Sequence, residues 1–326
     1  MRHSTTFLMS LIVASILVLM FLNLVLGSVS IPLKSVWNII CGLGDEPVTW
    51  QNIVWKSRLP QALTALVAGA GLAISGLQMQ TVFRNPLAGP SVLGISSGAS
   101  MGVAFVVLLS GSLGGVALSK LGFMGEIALS IAAVIGSLSV MALIVYVSQK
   151  VKGNVTLLII GVMIGYVANA VIGVLKFFSV EEDIRAYVIW GLGSFSRVSG
   201  NQMMLFVAIM AILIPLSFLL IKTLNLMLLG DGYARNLGLN IKRARLLVIT
   251  SAGVLTAIVT AYCGPVIFLG LAVPHLCRAI FQTSDHRVLM PAVLFAGAAL
   301  ALVCNLVARM PGFEGALPVN SVTALI

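Results

Sequence analysis

Residues 61–81 read QALTALVAGAGLAISGLQMQT, 21 positions without a charged side chain, bracketed by Arg58 and Arg84. Wound as a helix at about 1.5 Å per residue, the segment is about 30 Å long, the thickness of a bilayer's hydrocarbon core. Its apolar positions do not alternate with polar ones, so it is not a barrel strand. Outward from it the same texture recurs at Phe7–Leu26, Val92–Ser110, Ile127–Val147, Thr156–Leu175, Met203–Ile221, Leu246–Tyr262 and Pro291–Ala308. A shorter run, Pro265–Cys277, contains Pro274, and a last one opens at Leu317 and meets the chain end at Ile326. The reading is an all-α, polytopic membrane bundle of about ten spans, the tenth truncated, forming one transmembrane domain over 1–326.

Composition agrees. Of 326 residues, 60% are hydrophobic and 9% charged, against roughly 25% charged in an ordinary soluble domain. Soluble enzymes and disordered hubs are excluded. The net charge of +10 is explained by sidedness rather than by nucleic acid. With the N-terminus in the cytoplasm and every segment crossing, the inner side receives 11 basic and two acidic residues, the outer side eight and seven. That is the positive-inside pattern. The first run is too long for a signal peptide's apolar core and lacks a small-residue cleavage site, so it is read as a retained span. Pro265–Cys277, about 20 Å long, allows either a crossing or a re-entrant half-helix. Cys41, Cys263, Cys277 and Cys304 have no metal spacing.

Three features point to a packed transporter. Gly94, Gly98 and Gly102 form a small-residue row, and Gly161, Gly165, Asn169 and Gly173 form another, rows that let helices approach closely. Asn169 either bridges helices or touches a passing solute. No Asp, Glu, Lys or Arg lies mid-span, which weakens proton-coupled transport, and no phosphate-binding G-x-x-x-x-G-K-[ST] motif is present, so ATP energy has to come from another subunit. The inner loop KTLNLMLLGDGYARNLGLNIKRAR, 222–245, reads as two short helices around Gly230-Asp231-Gly232, the second ended by Gly238. They either cap the bundle or offer a docking platform. Arg243 and Arg245 read as a membrane boundary.

The chain resembles the membrane permease subunits of type II ABC importers that carry iron–siderophore complexes, haem and cobalamin. The resemblance rests on Arg58-Leu59-Pro60, on 69–76 (GAGLAISG), and on Asn85-Pro86-Leu87-Ala88-Gly89-Pro90 followed by 93–99 (LGISSGA). It continues at Trp190-Gly191-Leu192-Gly193-Ser194-Phe195, at 264–271 (GPVIFLGL), at Val273-Pro274-His275 with Arg278, and at Asp285-His286-Arg287. These pieces lie in the family's order.

The resemblance implies a homodimer in the bacterial inner membrane with the path between two copies, two ATPase subunits beneath carrying ATP and magnesium, and an extracytoplasmic solute-binding protein above. No cofactor is expected on this chain. The 228–239 stretch then corresponds to coupling helices, with Asp231, Ala234, Leu237 and Gly238 as candidates. Asn85, Leu87, Asn154 and Val155 match positions closing the inner end of the path, and Met163, Tyr166 and Asn169 fall beside it. Arg58 and Arg309 match positions that meet acidic residues of the binding protein; read from the residues alone they are equally interfacial anchors. The sequence departs from the pattern at Gln61, Asn305 and Asn320 and in its short last helix. His275 reads as a hydrogen-bonded structural residue and His286 as a loop or helix-start residue; no histidine faces the outer entrance, so haem transfer by axial ligation there is not supported. The competing reading is a secondary transporter or channel working alone.

Overall fold

The computed structural model describes residues 2–112, 123–151, 153–198, 200–310 and 317–325, and contains no strand among them. Lys120, Lys152 and Glu314, used in the charge count, lie outside the described residues. The helices are α1 (Arg2–Val25), α2 (Leu33–Cys41), α3 (Val48–Asn52), α4 (Leu59–Phe83), α5 (Ile95–Ser112), α6 (Phe123–Lys150), α7 (Asn154–Phe177) and α8 (Glu181–Gly191). They continue as α9 (Gly200–Phe218), α10 (Ile221–Leu228), α11 (Asp231–Asn236), α12 (Ile241–Cys263), α13 (Phe268–Phe281), α14 (His286–Ala308) and α15 (Val319–Leu325). A π-helical turn, Ile53–Arg58, fuses α3 to α4. Among the described residues seven helices are long and apolar enough to cross a bilayer, joined by the shorter apolar Ile95–Leu109 and Phe268–Phe281. These nine correspond to the nine segments read from the sequence, and α15 begins the tenth.

The bundle is built around α4. Its spanning window is 83% buried, whereas that of α1 is 6% buried and that of α9 17%. Lipid-facing helices keep bulky apolar surfaces; α4 instead carries small residues that let neighbours close on it. A Cβ on Gly69 would lie 2.3 Å from the Gly297 carbonyl oxygen of α14, and one on Gly76 only 1.7 Å from the Gly270 oxygen of α13. Polar contacts fasten the same surfaces. Ser75 Oγ and Thr256 Oγ1 of α12 are 2.7 Å apart. Beside α4, Asn305 Nδ2 of α14 donates to Asn23 Oδ1 of α1 at 2.8 Å, and Asn23 Nδ2 donates to the Leu302 carbonyl at 3.1 Å. A neutral amide pair of this kind satisfies itself in the bilayer.

Two readings are corrected in detail. Gly94 is not in the helical row: α5 starts at Ile95, and Gly94 takes φ +73 as the turn after a 3-10 segment, Pro90–Leu93. The remaining Gly98 and Gly102 do pack helices, since their Cβ atoms would meet the Gly136 and Ala132 carbonyl oxygens of α6 at 2.7 and 2.2 Å. His275 is exposed, and the histidine held in a network is His286.

α10 and α11 mark one end of the bundle. The C-terminus of α4 and the N-termini of α12 and α14 lie there; Arg58, Arg309 and Cys263 lie at the opposite end. At that opposite end the 190–195 motif folds onto the α12–α13 break. The Ser194 amide donates to the Cys263 carbonyl at 2.8 Å. Asn320 Oδ1 accepts from the Ile267 amide at 3.4 Å.

Candidate functional site

Three regions gather the residues singled out in the sequence. The first is the surface between α7 and the turn entering α5. Pro90 starts the 3-10 segment, Gly94 reverses the chain, and α5 leaves so that the turn packs on the small face of α7; a Cβ on Gly161 would sit 2.8 Å from Leu93 Cα. An open cavity of about 230 Å³ lies here, lined by Ser91, Val92, Gly94, Ser97, Gly161, Val162, Gly165, Tyr166 and Asn169. Tyr166 and Asn169 are therefore brought together. Met163 is exposed on the same helix but is not part of the lining, and Gly173 faces open space. Ser91, Ser97 and the turn were not predicted; the sequence signal for them was the Pro-Ser-x-Leu-Gly break. The lining offers hydroxyls and one amide with no charge, so it can hydrate a bulky solute without holding it tightly.

At the loop end, Asn85 shapes the turn after α4. Its Oδ1 accepts from the Leu87 amide at 2.9 Å, leaving Leu87 70% exposed. Val155 is exposed near the start of α7. Asn154 begins that helix, and its side chain lies outside the described residues.

The second region is the α10–α11 loop. Gly238 takes φ +83 just past Leu237, the residue that caps α11, as its reading as a helix terminator predicts. The Arg84 guanidinium bonds to the Asp231 carboxylate, and Arg245 Nη2 stands 3.6 Å from its other oxygen. Arg245 is thus a partner of the loop, not only a boundary marker. Ala234 is fully buried, whereas Leu237 and the unpredicted Tyr233 are exposed. A second tie runs through His286. Its ring nitrogens lie 2.8 Å from Asn225 Oδ1 of α10 and 2.8 Å from Thr81 Oγ1 of α4. Asp285 caps α14 through the Arg287 amide and accepts from Asn225 Nδ2 at 2.6 Å. These bonds hold its carboxyl below the usual range, the Arg287 amide contributing most. Arg278 donates to Gln80 Oε1, while Gln80 Nε2 donates to the Leu271 carbonyl at 3.0 Å. One end of α4 is therefore wired to α10, α11, α13 and α14.

The third region is the opposite end. Arg58 is only 1% exposed, so it is not the surface side chain expected from its position. Its guanidinium donates to the carbonyls of Leu24, Val25 and Val29, pinning the chain that leaves α1. Arg309 is half-buried, and its guanidinium meets that of Arg58 beside Gly27, where a Cβ would be 3.1 Å from each. Burial and then the Arg58 charge hold Arg309 down to about 10. Arg58 Nε and Arg309 Nη1 have no hydrogen-bond partner among the described residues. Two like charges packed together repel, so the pair is held by burial and by the carbonyls that Arg58 meets rather than by each other. Among the described residues no group of His, Cys, Asp or Glu could hold a metal ion.

With this geometry in view, comparisons place the chain among known proteins. The model of the FecCD transport family matches residues 15–326. The vitamin B12 import system permease protein BtuC of Klebsiella pneumoniae subsp. pneumoniae is 35% identical over 276 residues, covering 85% of this chain and 80% of the relative. The hemin transport system permease protein HmuU of Yersinia pestis is 34% identical over 303 residues, 92% of this chain and 86% of that one. A solved metal-chelate type ABC transporter in an inward-facing conformation superposes with a TM-score of 0.83 at 27% identity, over 98% of this chain and 95% of that one.

Proposed function

The chain belongs to the FecCD transport family, and on that premise we propose that it is the transmembrane permease subunit of an ATP-driven importer for an iron–siderophore complex, haem or cobalamin. The observation that carries the reading is the uncharged cavity on α7, open to the side, in a chain of this family. A lone subunit leaves Val155, Met163, Tyr166 and Val167 exposed beside that cavity; a second copy laid against α7 would cover them and enclose a path. Similar identity to a cobalamin and a haem permease does not separate the cargoes. The neutral lining suits a path whose selectivity resides in the solute-binding partner.

In this arrangement the N-terminus and the α10–α11 loop face the cytoplasm of an inner membrane, and two ATPase subunits seat against Tyr233 and Leu237. Movement passes through Asp231 and Arg84 into α4, with Ala234 and Gly238 shaping the piece that docks. Asn85, Leu87, Asn154 and Val155 close the path at that end. At the other end Arg309, with Arg58 behind it, receives an acidic side chain of the binding protein.

The test is ATP hydrolysis in liposomes by this chain assembled with an ATPase subunit, with and without loaded binding protein. Stimulation supports the importer; uptake that proceeds without any ATPase would return the stand-alone transporter to the front.

A further inference from the structure

The linker between α1 and α4 carries a short helix that is apolar on two sides. α2 turns Ser35, Val36 and Ile39 inward, where Val36 and Ile39 pack with Leu24, Ile31 and Val54 in a small core of their own. On its other side Ile40, Leu33, Trp37, Cys41 and Lys34 follow one another across an arc of about 120°, at about 100° per residue. Leu33 and Trp37 are more than half exposed, Cys41 and Lys34 are exposed, and Ile40 is half-buried. Gly42, at φ +66, ends the helix. The outward face of a helix that meets water is polar, and this one is not. The flanking turns repeat the pattern, with Leu43, Val48 and Trp55 exposed.

The path of the chain says what meets this face. α1 is a lipid-facing span with Leu17 and Val18 exposed, and the exposed apolar line continues past its end through Leu26 and Val29 to Leu33. Arg58, at the head of α4, holds the carbonyls of Leu24, Val25 and Val29. Three residues separate Val29 from Leu33, so α2 starts no more than about 14 Å from that pinned chain. It therefore stands at the level where α1 leaves the bilayer and α4 enters it. The charges fit the same place. Lys34 directly follows Leu33 and Lys56 directly follows Trp55, both lysines are exposed, and neither α2 nor the π-helical turn holds an acid. Tryptophan beside lysine suits a membrane–water interface, the ring at headgroup level and the ammonium reaching for phosphate. Beyond Lys34 comes Asn38, whose Nδ2 donates to Glu46 Oε1 at 2.9 Å. Around α2 the surfaces thus run from apolar through basic to polar, and then to the bundle.

We propose that α2 is an in-plane anchor that docks on the lipid surface at the end of the bundle opposite the α10–α11 loop. Its Leu33, Trp37 and Ile40 face lies in the boundary between headgroups and acyl chains, where such helices bury about 5–10 Å deep. Lys34 pairs with lipid phosphate, and Trp55 with Lys56 makes a second hold where the chain enters α4. Because α2 shares its inner core with the chain that Arg58 pins, the anchor sets the depth of that end of the bundle. The proposal needs only a membrane-embedded chain and does not rest on the transport reading.

Cys41 supplies the probe, because Cys263, Cys277 and Cys304 are buried and a thiol reagent reaches Cys41 on the folded chain. The full chain is labelled with bimane, reconstituted in phospholipid nanodiscs and read against three quenchers. These are a phospholipid with a nitroxide near its headgroup, one with the nitroxide at the end of its acyl chain, and aqueous iodide. Cys41→Ser should take up no label. The wild-type label should lose most of its emission to the shallow nitroxide, less to the deep one and little to iodide. Leu33→Glu with Trp37→Glu, both at exposed positions, should reverse that order, so that iodide quenches most. Gel-filtration elution reports folding; if the double variant misfolds, the milder Trp37→Ser should shift the quenching in the same direction. Strong quenching of the wild type by iodide and none by lipid would place the face in water and overturn the proposal. Protection from all three quenchers would mean that protein covers the face, a second copy being the candidate, and would overturn it too. A quenching profile that no substitution moves would overturn the assignment of Leu33 and Trp37 as the anchor.

Discussion

Replacing Gly76 with alanine puts the central claim about α4 to a numerical test. The new Cβ would lie 1.7 Å from the Gly270 carbonyl oxygen, 2.6 Å from its carbon and 2.9 Å from its Cα. Ordinary carbon–oxygen contact is no closer than about 3.3 Å, so α4 and α13 must part by roughly 1.5 Å. Neither side has a rotamer to move, because every opposing atom is backbone. Two turns away Gly69 is clamped on Gly297, so α4 cannot translate freely and has to tilt. One turn along, the 3.0 Å bond from Gln80 to Leu271 would stretch with it. Overpacking costs about 1–3 kcal/mol and a weakened hydrogen bond about 1 kcal/mol, offset by about 1 kcal/mol of helix propensity. The net loss is about 1–3 kcal/mol, a fall of roughly 2–5 °C in the midpoint of a thermal assay following monodisperse protein in detergent. Gly191→Ala, where nothing lies within 4 Å of the new Cβ, should stay within about 0.5 kcal/mol. If the two variants melted together, the close approach of α4 and α13 would be wrong.

Four further outcomes are expected. Arg309→Glu should weaken stimulation of ATP hydrolysis by binding protein, most strongly at low salt, while Arg58→Met should lower folded yield by stranding the carbonyls of Leu24, Val25 and Val29; the reverse pattern would exchange their roles. Asn305→Leu, which leaves Asn23 Oδ1 unpaired, should cost about 1 kcal/mol in detergent unfolding, and no change would show that the pair is not formed. Gly238→Val, at a left-handed φ that a β-branched residue resists, or Asp231→Asn, should leave complex assembly intact and lower transport per ATP; unchanged coupling counts against the loop as transmitter. The depressed Asp285 carboxyl contributes stability that is fully present above its unfolded value of about 3.9 and is lost as pH falls through its lower folded value, so Asp285→Ala should flatten the acid side of the stability profile below about pH 4 and leave pH 5–7 unaltered in shape.

Much of this architecture is legible in the residues because the bilayer enforces a simple rule. An uncharged run such as 61–81 has few other places to be, and Gly238, placed after a short helical piece, announces a terminus. What escaped the reading are facts about partners. Gln61–Thr81 and Phe7–Leu26 look alike as strings, yet α4 is enclosed and α1 bathes in lipid. The three glycines and the buried polar side chains Thr64, Ser75, Gln78, Gln80 and Thr81 hint at the difference. Arg58 looked like a surface anchor because its sequence position is interfacial; the carbonyls that swallow it come from residues 24–29, which no local pattern connects to it. Gly94 was counted into a helix because i+4 spacing is blind to φ. α8 was missed because a half-exposed helix outside the membrane carries a weaker apolar period than a span.

The enclosure of α4 also sets an order of events during synthesis. Its partners are far downstream: the bond from Gln80 to Leu271 joins residues 191 positions apart, and that from Ser75 to Ala252 joins residues 177 apart. At about 5–20 residues per second of translation, α4 waits roughly 10–40 s in the bilayer before α12 and α13 emerge to meet it. Throughout that interval its serine, glutamine and glycine surfaces face lipid or the insertion machinery. The helix that ends up most protected is thus the one born most exposed, and the nascent chain is open to surveillance proteases for as long as its second half is still being made.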